Sequence, residues 1–462
     1  MGKALRMNAE MSYRGHVKAV TVLGLPLVGS FLAQFSITLT DTVMLGWYDI
    51  EALAGQVLGG MVIFVLFLFG SGFAIAVMPA VAEAESAGDE TRVRRVTRMG
   101  LWASVAFGFA CFPVFIFARP VLLMLGQAPT VAELAAQYLE IAGFAIVFAL
   151  AGMVLKSYLS AMERTGIVLW GTVAAAVANG VVNYALIFGH WGAPEMGIRG
   201  AAVASALVQV VLLLVLLADV LWRGPGPQLF RRIWRIDAAA LWLVVRLGFP
   251  IGLTTLAEVS LFATTSVMMG WLGAVPLAAH GIALQISSAT FMVHLGLSSA
   301  ATVRAGRALG RRDLAGLKRG ALVVTVISAL LALVSVVLFV SAPGFLVGLF
   351  LAPDDPQRAQ VLAVGVVLTV AAALFQTVDA AQVIALGLLR GVLDTKVPMI
   401  IAVVAYWGIG VPVSYGLGFV AGFGALGIWL GLVAGLSVAA ALLVWRFWGA
   451  TLRRLSREWP TQ

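Results

Sequence analysis

Residues 23–56 read LGLPLVGSFLAQFSITLTDTVMLGWYDIEALAGQ, and residues 247–280 read LGFPIGLTTLAEVSLFATTSVMMGWLGAVPLAAH. Laid side by side without a gap, they share about 13 identities in 34 positions. Pro26 meets Pro250, Ala33 meets Ala257, Ser36 meets Ser260, Val43-Met44 meets Val267-Met268, and Gly46-Trp47 meets Gly270-Trp271. Apolar helices share letters by chance, but a proline and a Gly-Trp pair seldom recur together in one frame. The chain is expected to be a tandem duplication. A weaker echo links the last spans of the two repeats, where Gly197 and Gly200 of GIRGAAVAS match Gly424 and Gly427 of GALGIWLGL.

Both stretches are also apolar for long enough to cross a bilayer, which takes about 20 helical residues. The whole chain has the same character. Of its 462 residues 61% are hydrophobic and 11% charged, with a mean hydropathy of +1.02. Soluble domains carry roughly 25% charged residues, and a soluble globule of this composition would expose a large apolar surface. Reading apolar stretches between polar breaks predicts twelve spans near 19–43, 53–80, 99–124, 135–156, 166–189, 198–221, 239–270, 275–303, 320–350, 361–389, 397–419 and 424–448. The polar stretch Met1 to Lys18 leads straight into the first span, so no cleavable signal is expected.

Basic residues test that reading, because they concentrate in cytoplasmic segments. With the N-terminus inside, 27 of the 30 Lys and Arg, Lys3, Arg6 and Lys156 among them, fall on cytoplasmic segments. Arg119, Arg199 and Arg358 are the exceptions. A missed or extra span would scramble the alternation. The expected fold is thus an all-α integral membrane protein of twelve transmembrane helices, with both termini cytoplasmic. Two pseudo-symmetric six-helix lobes, residues 15–222 and 239–450, are joined by a cytoplasmic linker at 223–238. Each repeat starts on the same side, so the repeats are parallel, and two such lobes facing a central cavity suit alternating access.

Composition excludes several classes. The formal charge of +9 is accounted for by the inside bias and does not require nucleic acid. Cys111 is the one cysteine, and His16, His190, His280 and His294 have no metal-ligand spacing. No nucleophile–base set or metal motif marks an enzyme, and no cofactor is expected beyond a coupling ion.

Ionisable groups within spans are costly and generally functional. Asp41, Glu258 and Asp379 sit deepest. The repeat is asymmetric there: Asp41 aligns with Thr265, and Glu258 with Gln34. Glu258 lies twelve residues beyond Arg246, or ~18 Å deep, and Asp379 eleven residues from Arg390, or ~16 Å. At a shared depth, two carboxylates in low dielectric should hold a proton or share a cation. Asp41 lies further out, level with Asn179 and Asn183, whose i, i+4 spacing puts them on one helical face. An aspartate with two amide oxygens is a hard oxygen set of the kind that accepts Na+. Asp219 and Glu140, near span ends, read as snorkelling to water. The run EAESAGD at 83–89 reads as a solvated loop.

With these residues in place, the chain resembles the multidrug and toxic compound extrusion (MATE) exporters, in particular the NorM-type branch. The resemblance is carried by TDTVMLGW at 40–47, LAEVSLFA at 256–263, VRAGRALG at 303–310 and LGLLRGVLDTKVP at 386–398, in that order along about residues 15–450. It implies a secondary active antiporter that exports lipophilic small-molecule organic cations in exchange for H+ or Na+. It also implies a monomer in the bilayer of the plasma (inner) membrane. Asp41, Asn179 and Asn183 would correspond to an N-lobe cation site, and Glu258 and Asp379 to a C-lobe cation site. A lipid-linked saccharide flippase of the same superfamily is the alternative. Such a protein would need basic residues at cavity depth, whereas the buried charges read here are acidic.

Overall fold

The computed structural model describes residues 11–223, 227–352 and 356–459. Lys3 and Arg6, counted in the topology argument, and 224–226 of the linker lie outside the described residues. Among the described residues, twelve helices are long and apolar enough to span a membrane. They are α1 (Tyr13–Tyr48), α2 (Glu51–Ser86), α3 (Glu90–Ile116), α4 (Pro129–Ala161), α5 (Thr165–Phe188), α6 (Ile198–Arg223), α7 (Ala238–Leu272), α8 (Ala274–Arg311), α9 (Leu314–Ser341), α10 (Arg358–Gly391), α11 (Lys396–Val420) and α12 (Gly424–Glu458). The shortest has 24 residues, about 36 Å at 1.5 Å per residue, enough for a core of about 30 Å. Large apolar side chains stay exposed where lipid would cover them. On α9, Val326, Leu330, Leu333, Val334 and Val337 form one exposed face, since residues three and four apart are neighbours on a helix.

The duplication extends into local geometry beyond the region of counted identities. Asp89 and Asp313, as far apart as Pro26 and Pro250, both cap helices. Asp89 accepts from Arg92 N at 2.9 Å to start α3, and Asp313 accepts from Gly316 N at 2.7 Å to start α9. The preceding residues, Gly88 and Arg312, both adopt positive φ, +79° and +55°. The run 83–89 is therefore not a loop throughout. Glu83 to Ser86 complete α2, and Glu83 pairs with Arg92 at 2.9 Å.

The chain forms two compact units whose borders fall inside helices, just past the paired prolines. One unit is Gly29–Leu253. The other is the chain up to Val28 together with that from Thr254 onward. The first half of α7 thus packs in the unit built mainly from the first repeat. A Cβ on Gly72 of α2 would lie inside the backbone of Gly248 and Gly252 of α7. In the other unit the equivalent crossing recurs. A Cβ on Gly296 of α8 would lie 2.5 Å from Val28 N and 2.6 Å from its Cα, on α1. Glycine at 72 and 296 lets two helix backbones touch, as small residues commonly do in membranes. Ahead of α7, the chain is held on α3: Arg98 donates to the Arg231 carbonyl and Trp102 Nε1 to the Ile233 carbonyl, each at 2.7 Å.

Asp219, expected to snorkel, is instead buried against Arg164 at 2.5 Å. Its side chain is 4% exposed and that of Arg164 26%. The second repeat has a pair of reversed polarity, with Arg446 of α12 on Asp394 at 2.9 Å. A carboxylate this deep needs its counter-charge more than it needs water. Asp219→Ala should therefore cost on the order of 2 kcal/mol, less than for a fully buried pair because the guanidinium reaches solvent. Thermal melting in detergent tests this, and a melting point equal to the parent's would contradict it.

α11 departs from regular helix. Two π-helical stretches, Val404–Gly410 and Gly416–Val420, flank a short α segment that starts at Val411 with Pro412. Pro412 has no N–H, and its ring clashes with the carbonyl four residues back. Opening the preceding turns to i→i+5 spacing relieves that conflict.

Candidate functional site

In the first unit, the three residues grouped from sequence meet. Asp41 comes from α1, and Asn179 and Asn183 come from one face of α5. Asn179 Nδ2 donates to Asp41 Oδ1 at 2.8 Å and Asn183 Nδ2 to the same oxygen at 2.5 Å. A residue of α6 that the sequence did not single out, Ser205, donates to Asp41 Oδ2 at 3.3 Å. All three partners present hydrogen to the carboxylate. The amide oxygens of Asn179 and Asn183 are buried with no hydrogen-bond partner among the described residues. The group is therefore a donor cradle around one anion, with nitrogens rather than oxygens toward Asp41.

The acids of the second unit are held differently. Glu258 on α7 accepts from Gln382 Nε2 on α10 at 3.3 Å. Asp379 stands one turn before Gln382 on the same helix and is 1% exposed. Neither of its carboxylate oxygens has a hydrogen-bond partner among the described residues. The same holds for Gln382 Oε1 and for the hydroxyl of Tyr406, on the π-helical part of α11. Glu258 and Asp379 lie within electrostatic reach of each other, and Arg390 within reach of Glu258. One acid is thus cradled by three donors, and the other is buried without any.

The histidines take no part in either group. Trp429 Nε1, which can only donate, points at His280 Nδ1 at 3.1 Å, and His280 Nε2 faces Ser266 Oγ at 3.1 Å. The indole fixes Nδ1 as acceptor, leaving the ring proton on Nε2 for the serine. His294 Nδ1 lies 2.9 Å from Ser328 Oγ. Both histidines tie helices together.

Lys156 departs from its expected place on a cytoplasmic segment. It lies inside α4, 8% exposed, with Nζ 4.4 Å from the centre of the Phe31 ring. A cation over an aromatic face is attracted by the ring's quadrupole. Buried charge in this chain is therefore not acidic alone. Closeness to the loop in sequence concealed a position one and a half turns inside the helix.

The sequence matches the MatE family over residues 26–185 and 250–416, two segments that begin at the paired prolines. It is 46% identical over 94% of its length to a protein of Agrobacterium fabrum named probable multidrug resistance protein NorM, covering 94% of that protein. A Rhizobium meliloti protein of the same name is also 46% identical, over 97% of this chain and 96% of the relative. Among solved structures, a MOP superfamily transporter from Pyrococcus furiosus superposes with a TM-score of 0.85 at 19% identity, covering 96% of this chain and 97% of the other. The eukaryotic MATE transporter AtDTX14 does so with a TM-score of 0.81 at 18% identity, over 96% and 98%. The solved structures share the twelve-helix fold, and the curated relatives share nearly the full sequence. The chain is a multi-pass membrane protein, a transporter rather than an enzyme, and it belongs to the MatE family.

Proposed function

We propose that the protein exports lipophilic, cationic small molecules in exchange for an inward flow of H+ or Na+, as a monomer with both termini cytoplasmic. The observation that carries this reading is the carboxylate of Asp379, buried within electrostatic reach of Glu258 and with no hydrogen-bond donor among the described residues. An anion in that setting gains more from a proton or cation than one already cradled by three donors, as Asp41 is. Binding such an ion in one state of the carrier and not in the other biases the equilibrium between them. A cationic substrate competes for the same charge. The two six-helix repeats supply the lobes that alternate, with Asp41, Asn179 and Asn183 as a second polar centre in the N-terminal one.

The names of relatives sharing 46% identity support multidrug efflux and weigh against a lipid-linked saccharide flippase. The reading is tested by dye accumulation. Cells expressing the protein should retain several-fold less of an ethidium-like dye than cells without it, and the difference should vanish when the ion gradients are collapsed. Equal retention in both cell types would count against export.

A further inference from the structure

We propose that the open face of the first turns of α1 binds an anionic phospholipid, its phosphate held between Arg14 and Lys18 and its acyl chains laid along Val22 and Leu25. The inference goes beyond the export reading and does not depend on it.

The start of α1 is two-faced. His16, Val20, Leu23 and Leu27 are buried, and residues three and four apart share one side of a helix. Val20 belongs to one apolar cluster with Leu297 and Ala301 of α8 and Leu317 and Ala321 of α9. A Cβ on Gly320 of α9 would lie 3.3 Å from His16 Nδ1. This side fixes the segment within its unit. The opposite side is open. Tyr13, Arg14, Val17, Lys18, Thr21 and Val22 line a groove of about 430 Å³, and all six are exposed. Leu25, one turn beyond Thr21, is exposed as well.

Charge and depth name the occupant. None of the six lining residues is acidic, and neither Arg14 nor Lys18 forms an ion pair among the described residues. The groove therefore carries two uncompensated positive charges one helical turn apart, ~6 Å along the axis. One phosphate group can accept from both, in charge-assisted hydrogen bonds. Polarity then changes along the helix. Residues 13–18 supply a tyrosine and two bases just ahead of the apolar stretch, the level of a headgroup, where aromatic rings also concentrate. Val22 and Leu25 lie in the apolar stretch itself. A phospholipid has the same profile, an anion followed by hydrocarbon, and basic pockets beside spans recognise anionic headgroups. A soluble anion would leave Val22 and Leu25 without a role.

Bases at the end of a span ordinarily only reach for water. Such a pair closes α12, where Arg453 and Arg457 are exposed and one turn apart. Their exposed neighbours are Arg454, Ser456 and Glu458, with no apolar side chain among them. The second repeat has no counterpart to the α1 groove either. In the frame that pairs Pro26 with Pro250, Arg14 meets Ala238, Lys18 meets Trp242 and Tyr13 meets Asp237.

The experiment is native mass spectrometry of the purified protein in mild detergent, with phosphatidylglycerol and phosphatidylcholine added in equal amounts. The parent should retain one phosphatidylglycerol about tenfold more tightly than phosphatidylcholine. Arg14→Gln with Lys18→Gln should lose that preference at an unchanged melting temperature, since both side chains are exposed. Arg14→Lys with Lys18→Arg keeps both charges and should bind as the parent does. Val22→Gln with Leu25→Gln should weaken retention several-fold with the charges intact. Arg453→Gln with Arg457→Gln, a pair of the same charge and spacing, should change nothing. Equal retention of the two lipids by the parent would overturn the proposal, as would equal losses in the α1 and α12 glutamine pairs. Displacement of the lipid by an equal concentration of inorganic phosphate, or full retention in Val22→Gln with Leu25→Gln, would show an anion site and refute a phospholipid one.

Discussion

Asp379→Asn is expected to insert and fold as well as the parent and yet lose about a hundredfold in gradient-driven dye efflux. The two halves of this expectation have separate causes. A carboxylate central in a span costs ~2.5–3.5 kcal/mol on insertion scales, and here no donor among the described residues offsets that cost. Its amide replacement relieves the penalty, so yield and melting temperature should hold or rise. Coupling, however, requires that an ion bind the two carrier states unequally, and without the anion that difference goes. Glu258→Gln should behave alike in transport. Vesicles with separately imposed pH and sodium gradients provide the measurement, and full gradient-driven efflux in Asp379→Asn would refute the assignment.

Gly72→Ala and Gly296→Ala should each destabilise the protein by about 1–3 kcal/mol, the usual cost of overpacking a filled space. At both positions the new methyl would meet backbone of the crossing helix, Gly248 and Gly252 in one unit and Val28 in the other. Backbone atoms have no rotamer to change, so the helices would have to separate. Gly281 on α8 supplies a matched control, because a Cβ there meets nothing within 4 Å. In helical surroundings of that kind alanine outdoes glycine by up to about 1 kcal/mol, so Gly281→Ala should melt at or above the parent. Should Gly72→Ala melt together with Gly281→Ala, the tight crossing would not exist as described.

The large features were legible because each rests on many residues at once. Twelve apolar stretches, their basic flanks and an ungapped repeat need no three-dimensional information. The grouping of Asp41 with Asn179 and Asn183 also followed from helix rise and the i, i+4 rule. What stayed hidden depends on single residues or irregular backbone. The caps Asp89 and Asp313 recur in the same repeat frame, but the letters around them have diverged. Ser205 lies among alanines and valines with nothing to mark it. Tyr406 was out of reach for a reading based on 3.6 residues per turn, since a π-helical stretch resets that phase. Lys156 and Asp219 were assigned by distance to the nearest loop, which measures depth but not what packs around a side chain. The orientation of the asparagine amides, with nitrogen rather than oxygen toward Asp41, is likewise a property of the packed state.

The unit borders inside α1 and α7 bear on how such a chain came to be one chain. Each compact unit borrows half a helix from the other repeat, and the two loans are equivalent by the repeat's own symmetry. A single six-helix ancestor would have made the same exchange between two copies, as a homodimer with reciprocally swapped N-terminal arms. Joining two such copies in one chain keeps the arms where they were. Two copies held in one chain need not match, and the aspartate at 41 and the glutamate at 258 stand at positions where the two repeats differ.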